Sequence, residues 1–259
     1  MSGYTQTRYE LAGVEVAVYE AGTGPPLLFL HGAGTITGFD SLLPLAERFR
    51  LVVPHHPGFG DSADDPAVCD IHDYERLYLD LLDALGVGEL TLAGHSMGGW
   101  IAATLAISQG ARVRRLVLAA PWGLRVIEHP TLDLFSLPDA EVPLHLTADL
   151  SVFAGKVPDP PTPEFLADRY RESTSAARLL WGHTYDPSLP RWLHRISAPA
   201  LLLWGDADRV VPVGQLPSWR SHLPHAEERV LAGVGHLLFD ESPDAVAAVA
   251  GFALPPPGG

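Results

Sequence analysis

The chain of 259 residues holds one cysteine, one lysine and no apolar run approaching the ~18 residues that span a membrane. Cys69 has no second cysteine to pair with, which excludes a disulfide framework. Charged residues make up only 19% and hydrophobic residues 47%, a balance that excludes a disordered chain. The first residues, MSGYTQTRYELAG, have neither a basic start nor an apolar stretch, so no secretory signal is expected and the protein is read as cytoplasmic. GxGxxG and GxxxxGK[ST] are both missing, and no nucleotide cofactor is expected. HExxH and paired cysteines are missing too, and no metal site is expected despite 12 histidines. Basic residues are few, 17 against 31 acidic, giving a net charge of −14. That balance disfavours nucleic acid and anionic membranes as partners, and it is read as a contribution to solubility.

What is present is an alternation of two periods. Residues 14–19 read as a strand with alternation, Pro26–Leu30 is a continuous apolar run, residues 51–54 and 90–93 are two more short runs, and residues 113–120 read as another buried strand. Short continuous runs between turn residues suit buried strands of a parallel sheet. Ile71, Tyr74, Leu77, Tyr78, Leu81, Leu82 and Leu85 recur at helical spacing, with Asp70 and Asp73 at the start and Gly86 at the end. The expected class is α/β, a mostly parallel sheet with helices on both faces.

From residue 121 to 190 the texture changes: ten of the 24 prolines fall there, with no clear strand. Thr162-Pro163-Glu164 predicts a helix start, followed by Phe165, Leu166, Tyr170, Leu179 and Leu180. The alternation then resumes with a strand at 200–204, a helix at 213–222, a strand at 228–231 and a helix at 242–252. The expected division is a core of residues 1–121 and 196–254, a helical insertion of 122–195, and an unpacked PPPGG tail of 255–259.

The chemistry centres on Gly94-His95-Ser96-Met97-Gly98-Gly99, which follows an expected strand and opens a helix. A strand running through a sharp turn into a helix exposes the central serine, and only small residues tolerate the crowding on either side. A serine needs a base, and the base needs an orienting carboxylate. His236 in Gly233-Val234-Gly235-His236 and Asp208 in Gly205-Asp206-Ala207-Asp208 each follow a later expected strand. Their chain order, Ser then Asp then His, suits this elbow. The Gly-rich turn His31-Gly32-Ala33-Gly34 follows the strand at Pro26–Leu30, and the amides of Ala33 and Met97 are expected to form an oxyanion hole.

Together with Pro57-Gly58-Phe59-Gly60-Asp61-Ser62, these segments resemble the α/β-hydrolase superfamily along nearly the whole chain. The resemblance implies that Ser96 is the nucleophile, His236 the base and Asp208 the acid, with Asp206 as the alternative acid. It also implies that the insertion is a cap domain placed after the sixth strand. The chain looks most like the serine branch: carboxylesterases, meta-cleavage-product hydrolases and cofactor-free haloperoxidases. It departs from the meta-cleavage enzymes in having Leu237, where they usually have Trp, after the histidine. It also has His55-His56 ahead of PGFG, where the superfamily often has Asp.

Trp100 and Trp122 are candidate pocket residues, and Arg178, His145 or His183 could meet a polar end of a substrate. His95 is expected to pack against neighbouring loops, and His55, His56 and His72 to sit in loops or on a helix surface. The expected activity is cleavage of a small to medium, largely apolar carboxylic ester through an acyl-enzyme. Two alternatives stay open: a carbon–carbon bond hydrolase of the meta-cleavage type, with Arg178 as the carboxylate partner, and a non-catalytic ligand-binding protein on the same fold. The partner is a small-molecule substrate, and the sequence leaves the oligomeric state open.

Overall fold

The computed structural model describes residues 3–182 and 184–254. His183 and the 255–259 tail lie outside the described residues. Eight strands form one sheet in the order β1-β2-β4-β3-β5-β6-β7-β8. They are β1 Thr5–Leu11, β2 Val14–Ala21, β3 Pro26–Leu30, β4 Arg50–Pro54, β5 Leu90–His95, β6 Val113–Ala119, β7 Ala200–Gly205 and β8 Glu227–Leu231. β2 runs antiparallel to β1 and β4, and every other pairing is parallel. The four central strands β3, β5, β6 and β7 are nearly all buried, because helices cover both faces of a parallel sheet.

Two helices frame the first half. α1, Ile71–Ala84, begins with a capping box: the Asp70 side chain accepts from the Asp73 amide at 2.9 Å, and the Asp73 side chain accepts from the Asp70 amide. α2, Met97–Ser108, is buried along its first ten residues and runs beneath the middle of the sheet. Between β6 and β7 the chain makes α3 (Val142–Leu146), α4 (Pro163–Leu180) and α5 (Leu189–Trp192), joined by turns and short 3-10 segments. α4 starts where Thr162-Pro163-Glu164 predicts, with the Thr162 hydroxyl accepting from the Phe165 amide at 3.2 Å. After β7 come α6 (Leu216–His222), α7 (Leu238–Glu241) and α8 (Pro243–Ala253).

Two local expectations are refined. Residues 213–222 are not one helix: a 3-10 turn, Val213–Gln215, precedes α6. Pro217 accounts for the break, since a proline has no N–H and fits only the first turn of a helix. β1 is a strand that the sequence reading does not contain. Its residues Thr5 to Leu11 pair with Glu20 to Val14 at the sheet edge, exposed on nearly every position.

Candidate active site

The loops after β3, β5, β7 and β8 all leave the same end of the parallel sheet and meet there. The β5–α2 turn holds Ser96 at φ 57° and ψ −121°, a left-handed conformation that few side chains adopt. Contacts around it explain the neighbouring glycines. A Cβ on Gly94 would lie 2.2 Å from the Gly98 carbonyl oxygen, and one on Gly98 would lie 2.1 Å from that of Leu30. The strand can enter the helix this tightly only without those side chains.

Three side chains then form a continuous relay. His236 Nε2 lies 2.9 Å from Ser96 Oγ, and His236 Nδ1 lies 2.8 Å from Asp208 Oδ2. The other Asp208 oxygen accepts from the Val210 and Val211 amides, each at 2.8 Å. All three residues are buried. With Oδ1 held by two backbone donors, Oδ2 is left for the imidazole and fixes its proton on Nδ1. Nε2 is then an acceptor facing the serine hydroxyl. Asp206 is placed elsewhere: its carboxylate accepts from the Gly233 amide at 2.6 Å and shapes the turn before His236.

His95 supports this arrangement from beside the elbow. Its Nε2–H donates to the His236 carbonyl oxygen at 2.8 Å, and its ring lies 4.7 Å from the His236 ring. Burial, and then the neighbouring His236, push its pKa down to about 3, so it stays neutral. The Gly32-Ala33-Gly34 turn lies directly against the serine; a Cβ on Gly32 would be 3.2 Å from Ser96 Cβ. Met97 opens α2 directly after the serine and is fully buried.

Ser96, His236 and Ala33 open onto a cavity of about 870 Å³. Its walls are mainly apolar. Ile36, Leu42 and Phe239 come from the sheet side, and Leu134, Leu146, Phe153 and Phe165 from the segment between β6 and β7. Trp122 lines it and is almost completely buried. Polar groups in its lining include Thr37, Asp240 and Arg169, with the Thr37 hydroxyl donating to Asp240 at 2.9 Å.

Other residues singled out in the sequence lie away from the cavity. Trp100 is buried against Gly123, whose Cβ would sit 2.9 Å from the indole. Arg178 points to the opposite side of α4, where its guanidinium donates to Asp64 at 2.5 Å and to the Val68 carbonyl at 3.2 Å. His145 is half-buried and not part of the lining. His55 and His56, expected in loops or on a surface, follow β4 in a loop but are buried against His31. Glu172 in α4 is a site residue the sequence reading does not contain. It is buried and accepts from the Thr35 and Gly60 amides. Among the described residues, no group of three or more His, Cys, Asp or Glu side chains is placed to hold a metal ion. No described helix is long and apolar enough to cross a membrane.

The sheet order, the strained serine turn and the relay can be set against known proteins. A model of the alpha/beta hydrolase family matches residues 27–249. The chain belongs to the alpha/beta hydrolase family. A pimeloyl-[acyl-carrier protein] methyl ester esterase of Nitrosomonas europaea is 29% identical over 262 residues, covering 88% of this chain and 95% of that one. A 2-hydroxy-6-oxo-6-(2'-aminophenyl)hexa-2,4-dienoic acid hydrolase of Metapseudomonas resinovorans is 26% identical, covering 94% and 88%. Among solved structures, a membrane phospholipase A described as a bacterial virulence factor superposes with a TM-score of 0.77 at 27% identity, covering 96% of this chain and 86% of that one. A serine hydrolase involved in carbazole degradation superposes at 0.79 with 24% identity over 96% and 98%, a likeness of fold. Family and relatives together indicate a hydrolase.

Proposed function

We propose that the protein is a serine hydrolase of carboxylic esters. The observation that carries this is the Asp208–His236–Ser96 relay, closed at 2.8 and 2.9 Å and opening into a largely apolar cavity. In this reading Ser96 Oγ attacks the ester carbonyl carbon as His236 Nε2 takes its proton. Asp208 orients the imidazole and stabilises its charged form. The amides of Ala33 and Met97 face the oxygen that gains negative charge. The tetrahedral intermediate collapses, and His236 gives its proton to the departing alcohol. Water, activated by the same imidazole, then releases the acid from Ser96.

The cavity volume of about 870 Å³ suits a medium-sized acyl or alcohol group, and its apolar lining favours one with little charge. The segment of residues 122–195 acts here as the cap: it supplies roughly one wall of that cavity from α3, α4 and the turns between them. Ester cleavage is also the activity named for the Nitrosomonas relative. Carbon–carbon cleavage is a second reading, favoured by the relative that acts on a dienoic acid. It calls for a cation to meet the substrate carboxylate, and the cavity offers Arg169, which already pairs with Glu172 at 2.6 Å.

Steady-state turnover separates the two. p-Nitrophenyl esters of increasing acyl length should be hydrolysed by the protein and left intact by Ser96→Ala, with kcat/KM rising into the medium chain lengths. A vinylogous ring-cleavage diketone should be turned over far more slowly. Faster turnover of the diketone would overturn the ester reading in favour of the second. Tight binding of either compound without turnover would point to a non-catalytic ligand-binding protein.

A further inference from the structure

α4 carries an acid in an unusual place. Glu172 lies on the face of the helix shared with Ser175, Ala176 and Leu180, and that face is seated on the core. The side chain is 4% exposed, and all its lone-pair directions are used. Oε2 accepts from the Thr35 amide at 3.1 Å and from the Arg169 guanidinium at 2.6 Å. Oε1 accepts from the Gly60 amide at 2.9 Å and from the Thr35 hydroxyl. Burying a carboxylate is costly unless it is paired in this way, and a solvated surface position would serve a helix better. Thr35 is two residues beyond Ala33, on the turn that lies against Ser96. Gly60 belongs to the loop after β4, whose His56 is hydrogen-bonded to His31 at the start of that turn. One carboxylate from the inserted segment therefore clamps the two loops beside the nucleophile.

We propose that Glu172 is a positioning residue for catalysis: it fixes the Gly32–Thr35 turn so that the Ala33 amide points at the developing oxyanion, which makes seating of α4 a condition of full activity. This rests on the serine-hydrolase reading above. The same helix is tied to the core a second time, by Arg178 to Asp64 and Val68, about two turns further along. That tie does not touch the turn beside Ser96 and provides an internal control.

Glutamine is the informative replacement. It fills the same space but offers one acceptor oxygen, and in either orientation its amide N–H₂ faces a backbone N–H, that of Gly60 or that of Thr35. In the full-length protein, active sites are counted with a fluorophosphonate and kcat and KM are measured per labelled site with a p-nitrophenyl ester. For E172Q, kcat per labelled site should fall by about tenfold or more, up to the ~10²–10³-fold seen when an oxyanion donor is lost outright, with KM within about twofold. T35V, which removes only the hydroxyl donor, should fall in the same direction by less. Arg178→Met should melt at a lower temperature and keep kcat. If E172Q does not fold, T35V decides: an unchanged kcat per site overturns the proposal. So does a folded E172Q with wild-type kcat per site, or an Arg178→Met that loses kcat equally, since either makes Glu172 a structural tie only. Absence of labelling in the wild-type protein would instead overturn the serine-hydrolase reading itself.

Discussion

At residue scale the site depends on what is absent at Gly94 and Gly98. Ser96 adopts its left-handed backbone because the chain must turn from β5 into α2 within one residue, and Gly98 is the point at which that turn meets β3. A methyl group at Gly98 would sit 2.1 Å from the Leu30 carbonyl oxygen and 2.4 Å from that of His31. Neither backbone oxygen can rotate away. Gly98→Ala is expected to cost at least ~1–3 kcal/mol of stability, read as a lower urea midpoint, and to abolish ester turnover. Gly251, on the exposed side of α8, has no atom within 4 Å of its missing Cβ. There the same substitution should be neutral or stabilise by roughly 0.5–1 kcal/mol, because alanine is the better helix former. Equal effects at the two glycines would contradict this steric account.

At element scale the loops after β3 and β4 are joined by uncharged histidines. The His56 amide donates to His31 Nε2 at 2.9 Å, so the His31 proton is on Nδ1, where it donates to the Gly32 carbonyl at 2.6 Å. His56 Nε2–H donates to the His31 carbonyl at 2.7 Å, and its Nδ1 accepts from Tyr78. His55 Nδ1 accepts from the Asp61 amide at 2.8 Å. Each ring therefore uses a bare nitrogen as acceptor, and protonation would set donor against donor. Burial pushes His55 down to about 4 and His56 to about 3, and lowers His31 well below its usual value, with neighbouring histidines adding to the effect on His31 and His56. The unfolded chain binds these protons near 6.5, so the folded state gains nothing from them above that pH. Below it the unfolded state takes up protons the folded one refuses, and each such histidine removes up to about 1.4 kcal/mol per pH unit. Melting temperature followed by circular dichroism should fall steadily from pH 6.5 to 5, above the range in which most carboxylates titrate. A flat profile over that interval would contradict the tautomers assigned here.

The elements also show what a sequence can display. β3, β5, β6 and β7 were legible because burial on both faces demands short, mostly apolar runs, and α1 because its apolar period and its capping aspartates agree. β1 was not, because an edge strand exposed on both faces carries residues such as Thr5, Gln6, Thr7 and Arg8 with no pattern to find. His55 and His56 read as loop residues, which they are, but their burial depends on β4 lying beside β3 in space. Arg178, singled out as a candidate substrate partner, and Glu172, which the sequence reading does not contain, are both charged residues of α4. Only the packing of that helix sends one to Asp64 and the other to Thr35. The spacing of Glu172 with Ser175, Ala176 and Leu180 was the available signal, since it puts the acid on the buried face.

At the scale of the whole molecule, the parallel part of one sheet delivers four loops to one end, and the segment between β6 and β7 closes over them. Ser96, Asp208 and His236 each sit in a local motif following a strand, and the fold brings them within hydrogen-bond reach; the walls of the cavity have no such motif, because they come from residues far apart in the chain. The segment above the sheet is held by more than α4. The Leu237 amide donates to the Leu146 carbonyl at 3.0 Å, and Glu241 accepts from both Ala148 and Gly235, joining the segment to the turn that carries His236. The central claim is that this assembly makes one serine nucleophilic. It is tested most directly by incubating the protein with a fluorophosphonate, digesting it and mapping the adduct by mass spectrometry. The account predicts a single stoichiometric adduct on Ser96, absent from Ser96→Ala and formed far more slowly in His236→Ala. An unlabelled protein, or an adduct that persists on another residue in Ser96→Ala, would contradict it.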